Sequence, residues 1–280
     1  MRRSITSVGT KRPLLGLLLL AELILAVTLL GMFTRGGPPA ATAAPAPLTT
    51  LTASLPASST LSLPDGRTAQ FIGLGEHTAP LLTRIGSQIG DAAEAVTAFW
   101  GTDWRRDIVI VASGSDEQFA ALAGGGADIA AATTGERIVF APGAAAMSDS
   151  ALRIVLRHEL FHYATRAATA SDAPRWLTEG VADFVARPPT ARPAPQRAES
   201  LAALPTDADL AGPGAARSLA YDRAWWFSRF VADRYGTATL RALYLSACGA
   251  GHPDPQTAIH ATLGADPDQV LAGWRQWLTG

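Results

Sequence analysis

One stretch constrains the fold of this chain more than any other: SALRIVLRHELFHYATRAATASDAPRWLTEGVADF, residues 150–184. His158 and His162 stand one helical turn apart, so on a helix their imidazoles leave the same face and can grip one ion. Glu159 follows the first histidine and falls beside such an ion rather than on it. After a gap of small residues, with Asp172 read as an N-cap and Pro174 in a first turn, a second helix carries Glu179 and Asp183 on one face. The chain must therefore fold back, helix against helix, if these side chains are to meet.

H-E-x-x-H on a helix supplies two nitrogen ligands and a general base for a metal-bound water. A catalytic zinc takes three protein ligands and keeps one position open. Glu179, seventeen residues past His162, is the expected third ligand. Asp183 is expected to accept the other ring N–H of a ligating histidine and so fix its tautomer. Two imidazoles and a carboxylate suit one Zn2+ ion, an inference from ligand type.

HELFH followed by WLTEGVAD resembles the gluzincin branch of the zinc metallopeptidases (thermolysin-like, the peptidase MA group), whose pattern is HExxH, a gap, then ExxxD. The resemblance covers about residues 137–184. It implies that His158, His162 and Glu179 are zinc ligands, Glu159 the general base and Asp183 the orienting carboxylate. It also implies hydrolysis of peptide bonds in a peptide or protein substrate. The metzincin pattern requires a glycine and a histidine where this chain has Thr165 and Ala168, so that reading fails. The Gly-x-Met-x-Asn type sequence of the family's aminopeptidases is not found, which leaves endopeptidase action as the expectation.

Ahead of this, residues 1–13 carry Arg2, Arg3, Lys11 and Arg12 as a cytoplasmic basic segment. LLGLLLLAELILAVTLLGMF (14–33) is apolar except for Glu22. At 1.5 Å per residue it spans about 30 Å, the thickness of a bilayer core, and the leading positive charge keeps its N-terminus inside. A signal-anchor in the cell membrane is expected, with the catalytic part extracytoplasmic. The competing reading is a cleaved signal peptide and a secreted protein, with Ala41-Thr42-Ala43 as the site. Residues 34–64, rich in Pro, Ala and Thr, read as a tether.

Residues 65–280 are expected to form the metallopeptidase domain, of α+β class. Its α+β part (65–145) has strands at 67–74 and 107–112, helices at 78–100 and 115–123, a Gly-rich turn at 124–126 and two strands joined at Gly135. The small mixed sheet leads into the zinc-site helices (146–186), with Ser148 or Ser150 as cap. The part that follows (187–280) opens on the Pro-rich RPPTARPAPQR and becomes all-helical from 217. In the gluzincins that the chain resembles, an edge strand beside the zinc pairs with substrate. RIVFA (137–141), ending at Pro142, is the candidate for that strand.

Such a site also needs a donor for the developing oxyanion. Tyr221 is the candidate, with His252 and His260 as alternatives; His77 reads as a surface residue. Trp225, Trp226, Trp274 and Trp277 fit core packing, and Cys248, the one cysteine, fits a small buried apolar residue. From residue 36 onward there are 18 basic and 23 acidic residues, without a basic block, which argues against nucleic acid as a partner. Two other classes compete with the enzyme: a proteolytically silent zinc-binding envelope protein acting as an interaction module, and a tethered helical protein with a fortuitous motif. The intact Glu159 argues against the first, since a structural metal site needs no base.

Overall fold

The structure, a computed structural model, describes residues 58–124 and 129–280. The expected basic segment, membrane span, cleavage site, the tether before residue 58 and positions 125–126 of the Gly-rich turn lie outside the described residues. Within the described residues no helix is long and apolar enough to cross a membrane.

The chain opens with β1 (Ser58–Ser62) and β2 (Thr68–Leu74), followed by α1 (Ala79–Trp100), β3 (Asp107–Ser113), α2 (Asp116–Ala123), β4 (Ala131–Thr133) and β5 (Ile138–Phe140). The five strands order as β1-β2-β3-β5-β4. β2, β3 and β5 run parallel, and each outer strand is antiparallel to its neighbour. β3 is an unbroken apolar run because both its faces are covered. Its Ile108, Ile110 and Ala112 join the main core under the helices. Val111 faces a second core with Phe119 of α2 and Val139 of β5. Alternation along a strand is what sorts them. The small mixed sheet with many helices confirms the α+β class.

Three expectations need correction. The tether read over 34–64 does not extend to its stated end, because Ser58–Ser62 pairs with β2, Ser58 opposite Ile72 and Ser62 opposite Thr68. The turn between them is Pro64-Asp65-Gly66, with Gly66 at φ 81° and the Leu63 amide donating to the Arg67 carbonyl at 2.8 Å. RIVFA is not the edge: β5 lies between β3 and β4, and β4 is the outer strand. Pro142 instead opens a 3-10 turn, Pro142–Ala146. Finally, the second of the two helices expected to hold zinc has Pro174 rather than Asp172 at its N-cap. A residue before proline is held out of the α region, so Ala173 cannot belong to the helix and Asp172 falls outside its first turn.

The remaining helices are α3 (Asp149–Thr165), α4 (Arg175–Ala186), α5 (Pro195–Leu201), α6 (Asp207–Ala211), α7 (Gly214–Tyr235), α8 (Thr237–Cys248), α9 (Pro255–Leu263) and α10 (Pro267–Thr279). Ser148 caps α3, its hydroxyl accepting from the Ala151 amide at 3.2 Å. α4 packs against both α3 and α7. The α4–α7 contact is backbone on backbone, for a Cβ on Gly180 would fall 2.5 Å from the Ala224 carbonyl oxygen. The glycine directly after Glu179 is therefore what lets α4 sit this close. The four tryptophans lie within the core or packed against it, and Cys248 is buried, as expected. The Cys248 carbonyl accepts from the Ala170 amide at 2.7 Å and braces the turn that reverses α3 into α4.

Candidate metal centre

Reversal at residues 166–174 lays α4 against α3, and the side chains singled out by spacing come together. His162 Nε2 lies 3.0 Å from His158 Nε2. Glu179 Oε2 is 3.2 Å from His158 Nε2 and 3.5 Å from His162 Nε2. Donors at about 2.0–2.1 Å from one zinc ion, at tetrahedral angles, stand about 3.3 Å from each other. The three atoms fit that triangle. Among the described residues they form the group of three or more potential ligands able to hold a metal ion.

Behind this triangle, His158 Nδ1 faces Asp183 Oδ1 at 3.0 Å with both residues fully buried. Donation from Nδ1–H to the carboxylate leaves Nε2 as the ring's free donor atom, the tautomer a metal needs. The chain of bonds runs on. Arg187, one turn past Asp183, donates to its Oδ2. The same guanidinium donates to Asp222 Oδ1 on α7 at 2.9 Å, and Arg197 of α5 donates to Asp222 Oδ2 at 2.6 Å. Spacing alone makes the Asp183–Arg187 pair legible. Asp222 and Arg197 are brought in only by the tertiary fold.

Glu159 is fully buried on the same helix. The Thr133 hydroxyl of β4 lies 2.7 Å from its Oε2. Oε1 is buried with no hydrogen-bond partner among the described residues. Burial raises the Glu159 pKa above the ordinary carboxylate value, against the pull of His158, His162 and Thr133. Thr133 escapes sequence reasoning because nothing in the three-residue strand says that its one hydroxyl will face a helix.

Residues 93–170 match the family model of the eCIS core domain. That segment includes α3 with both histidines and ends before Glu179. No curated protein matches. Among solved structures, the chain is similar to a mutant M1 zinc metallopeptidase from Deinococcus radiodurans at 16% identity and a TM-score of 0.41, covering 76% of this chain and 48% of that one. A mutant two-domain M1 zinc metallopeptidase bound to L-tryptophan gives 15%, 0.46, 80% and 51%. The chain thus spans about half the length of these structures.

Tyr221 of α7 is buried, its ring 6.5 Å from that of His158. His252 and His260 stand apart from the cluster. His252 Nδ1 lies 2.8 Å from the Pro253 carbonyl oxygen and its Nε2 lies 3.6 Å from Asp172, while exposed His260 has Nδ1 3.2 Å from the Ala265 carbonyl oxygen. His77 is exposed, as expected.

Burial disfavours a charged His158, but its hydrogen bonds to Asp183 and Glu179 outweigh that and push its pKa up to about 10. Glu179 is likewise opposed by burial, yet His162 and His158 hold its carboxyl below the ordinary range. A folded value for His158 above the unfolded value of about 6.5 gives stability that is whole below pH 6.5 and lost as pH rises through about 10. After chelation of any bound metal, urea midpoints should therefore fall between these pH values, and metal uptake should release a proton. A metal-free midpoint that rises over this window would contradict the charged His158–Asp183 pair.

Proposed function

We propose that this chain is a zinc-dependent peptidase that hydrolyses internal peptide bonds, anchored by residues 14–33 with its folded part outside the cytoplasm. The observation that carries the reading is the meeting of three ligand atoms with a buried, half-partnered carboxylate beside them. His158, His162 and Glu179 would hold the ion. Zinc bound there supplies a Lewis acid, which acidifies a water molecule and polarises a carbonyl.

The chain's own residues do the rest. Glu159 is fixed through Oε2 by Thr133, so Oε1 takes a proton from the attacking water and returns it to the departing amine nitrogen. Its raised pKa suits a group that must both accept and release a proton. Asp183 holds the His158 ring at its tautomer, and Arg187 holds Asp183. Tyr221, beside the His158 ring, is the donor proposed for the negative charge that develops on the scissile carbonyl oxygen. β4, the outer strand that also bears Thr133, offers its backbone for pairing with an extended substrate.

The test is a zinc analysis of the full chain after dialysis, paired with digestion of an unbiased peptide library. One zinc per chain is expected, with internal cleavages that a chelator abolishes and zinc restores. Bound zinc with an uncut library would overturn the enzyme reading in favour of a silent metal-binding protein.

A further inference from the structure

Arg166 follows His162 by one turn at the end of α3 and lies about 6 Å further along the helix, on the face that carries both histidines. There it lines a cavity of about 720 Å³, to which α1, the β4–β5 turn and α8 also contribute. Three guanidinium groups border it. Arg166 lies over Gly135, where a Cβ would stand 3.2 Å from its Nη2. The backbone of Gly135 is not in the left-handed region, so the missing side chain makes room for Arg166 rather than easing a turn. Arg105 donates to the Gly135 carbonyl at 3.3 Å and faces the Tyr163 ring at 5.5 Å. Arg241 of α8 sits 5.3 Å from the Trp100 ring.

Arg105 and Arg241 each lie over a ring at cation–π distance, a contact that does not consume their N–H donors. Few of those donors meet a charged partner. Among the described residues, Arg166 and Arg241 have no ion pair, and Arg105 meets only the exposed Glu136, at 3.3 Å. An exposed pair of that kind is weak enough to be exchanged for a ligand. Asp103 is the one acid on the cavity wall. A chain with an excess of acidic residues after residue 36 has thus gathered three cations into one hollow.

From this convergence we infer a subsite that takes the acidic side chains of a peptide substrate, with Arg105, Arg166 and Arg241 as its carboxylate donors. The assignment rests on the peptidase reading for its ligand, a polypeptide lying along α3. Trp100, Trp104 and Tyr163 form the floor against which the apolar stem of a Glu side chain packs. Charge-assisted bonds to a carboxylate set the preference, and salt weakens it.

The test uses full-length chain carrying Glu159→Gln, loaded with zinc, and two fluorescent peptides capped at both ends. One carries Glu and Asp around its centre; the other has Gln and Asn in their places. By anisotropy the acidic peptide should bind at least about tenfold more tightly at low ionic strength, with the ratio shrinking as salt is added. Adding Arg166→Gln and Arg241→Gln together should bring the ratio close to one, and Arg166→Lys should retain most of it. Should the double variant fail to fold, Arg241→Gln alone, on an exposed side chain, should still cut the ratio about threefold. Equal binding of the two peptides, or a ratio untouched by these changes, overturns the subsite. Cleavage by the unaltered chain is scored separately. Acid-selective binding without any cleavage upholds the subsite and overturns the peptidase; cleavage of both peptides with equal binding does the reverse.

Discussion

Glu159→Gln should leave metal binding intact and lower turnover by about three to four orders of magnitude. The substitution preserves shape. The amide oxygen of glutamine can accept from the Thr133 hydroxyl as Oε2 does now, 2.7 Å away. Its NH2 group then occupies the place of Oε1, where an acceptor is replaced by a donor that cannot take a proton. His158, His162 and Glu179 are untouched, so the ion should stay. A loss of this size corresponds to about 4–5.5 kcal/mol of transition-state stabilisation. Single-turnover cleavage with zinc content measured on the same sample is the check. Turnover within a few-fold of the unaltered chain would remove Glu159 as the base.

His162→Ala should weaken zinc binding by about a thousandfold or more, beyond the 10–100-fold effect of supporting residues alone. His162 is the better of the two histidines to remove. It retains some exposure, and no bond to the buried charged chain passes through its ring. Removing His158 would instead strand Asp183 in the interior with Arg187 as its remaining partner, mixing a loss of fold with a loss of ligand. Competition against a chromophoric chelator measures the affinity, and the thermal shift caused by zinc should vanish in parallel. Full occupancy after dialysis of this variant would exclude His162 from the ligand set.

The candidate site is largely legible in the sequence because its spacing is helical. Positions 158, 162, 179 and 183 are fixed by one turn within each helix and by a break between them. Asp172 is not the cap because Pro174 keeps Ala173 out of the helical region, so the helix starts two residues later. β1 reads as tether because Ser and Thr dominate it. Leu61 and the Pro-Asp-Gly turn after it are the signals that mark it as a strand. Strand order cannot be read from the sequence. RIVFA and AAT are both short and apolar, and which of them lies outside is decided by how the chain returns past β3. Thr133, Asp222 and Arg197 belong to the same class of omission, since each reaches the site from an element distant in sequence.

The relay of Asp183, Arg187, Asp222 and Arg197 also bears on the valence of any ion that the three ligand atoms would hold. Its two carboxylates and two guanidiniums cancel. The uncompensated negative charge beside the three ligand atoms is therefore confined to Glu159 and Glu179, while the imidazoles would hold an ion as neutral rings. Two such charges in a medium that solvates ions poorly are balanced by a dication, leaving electroneutrality; a monovalent or trivalent ion would leave a residual charge there.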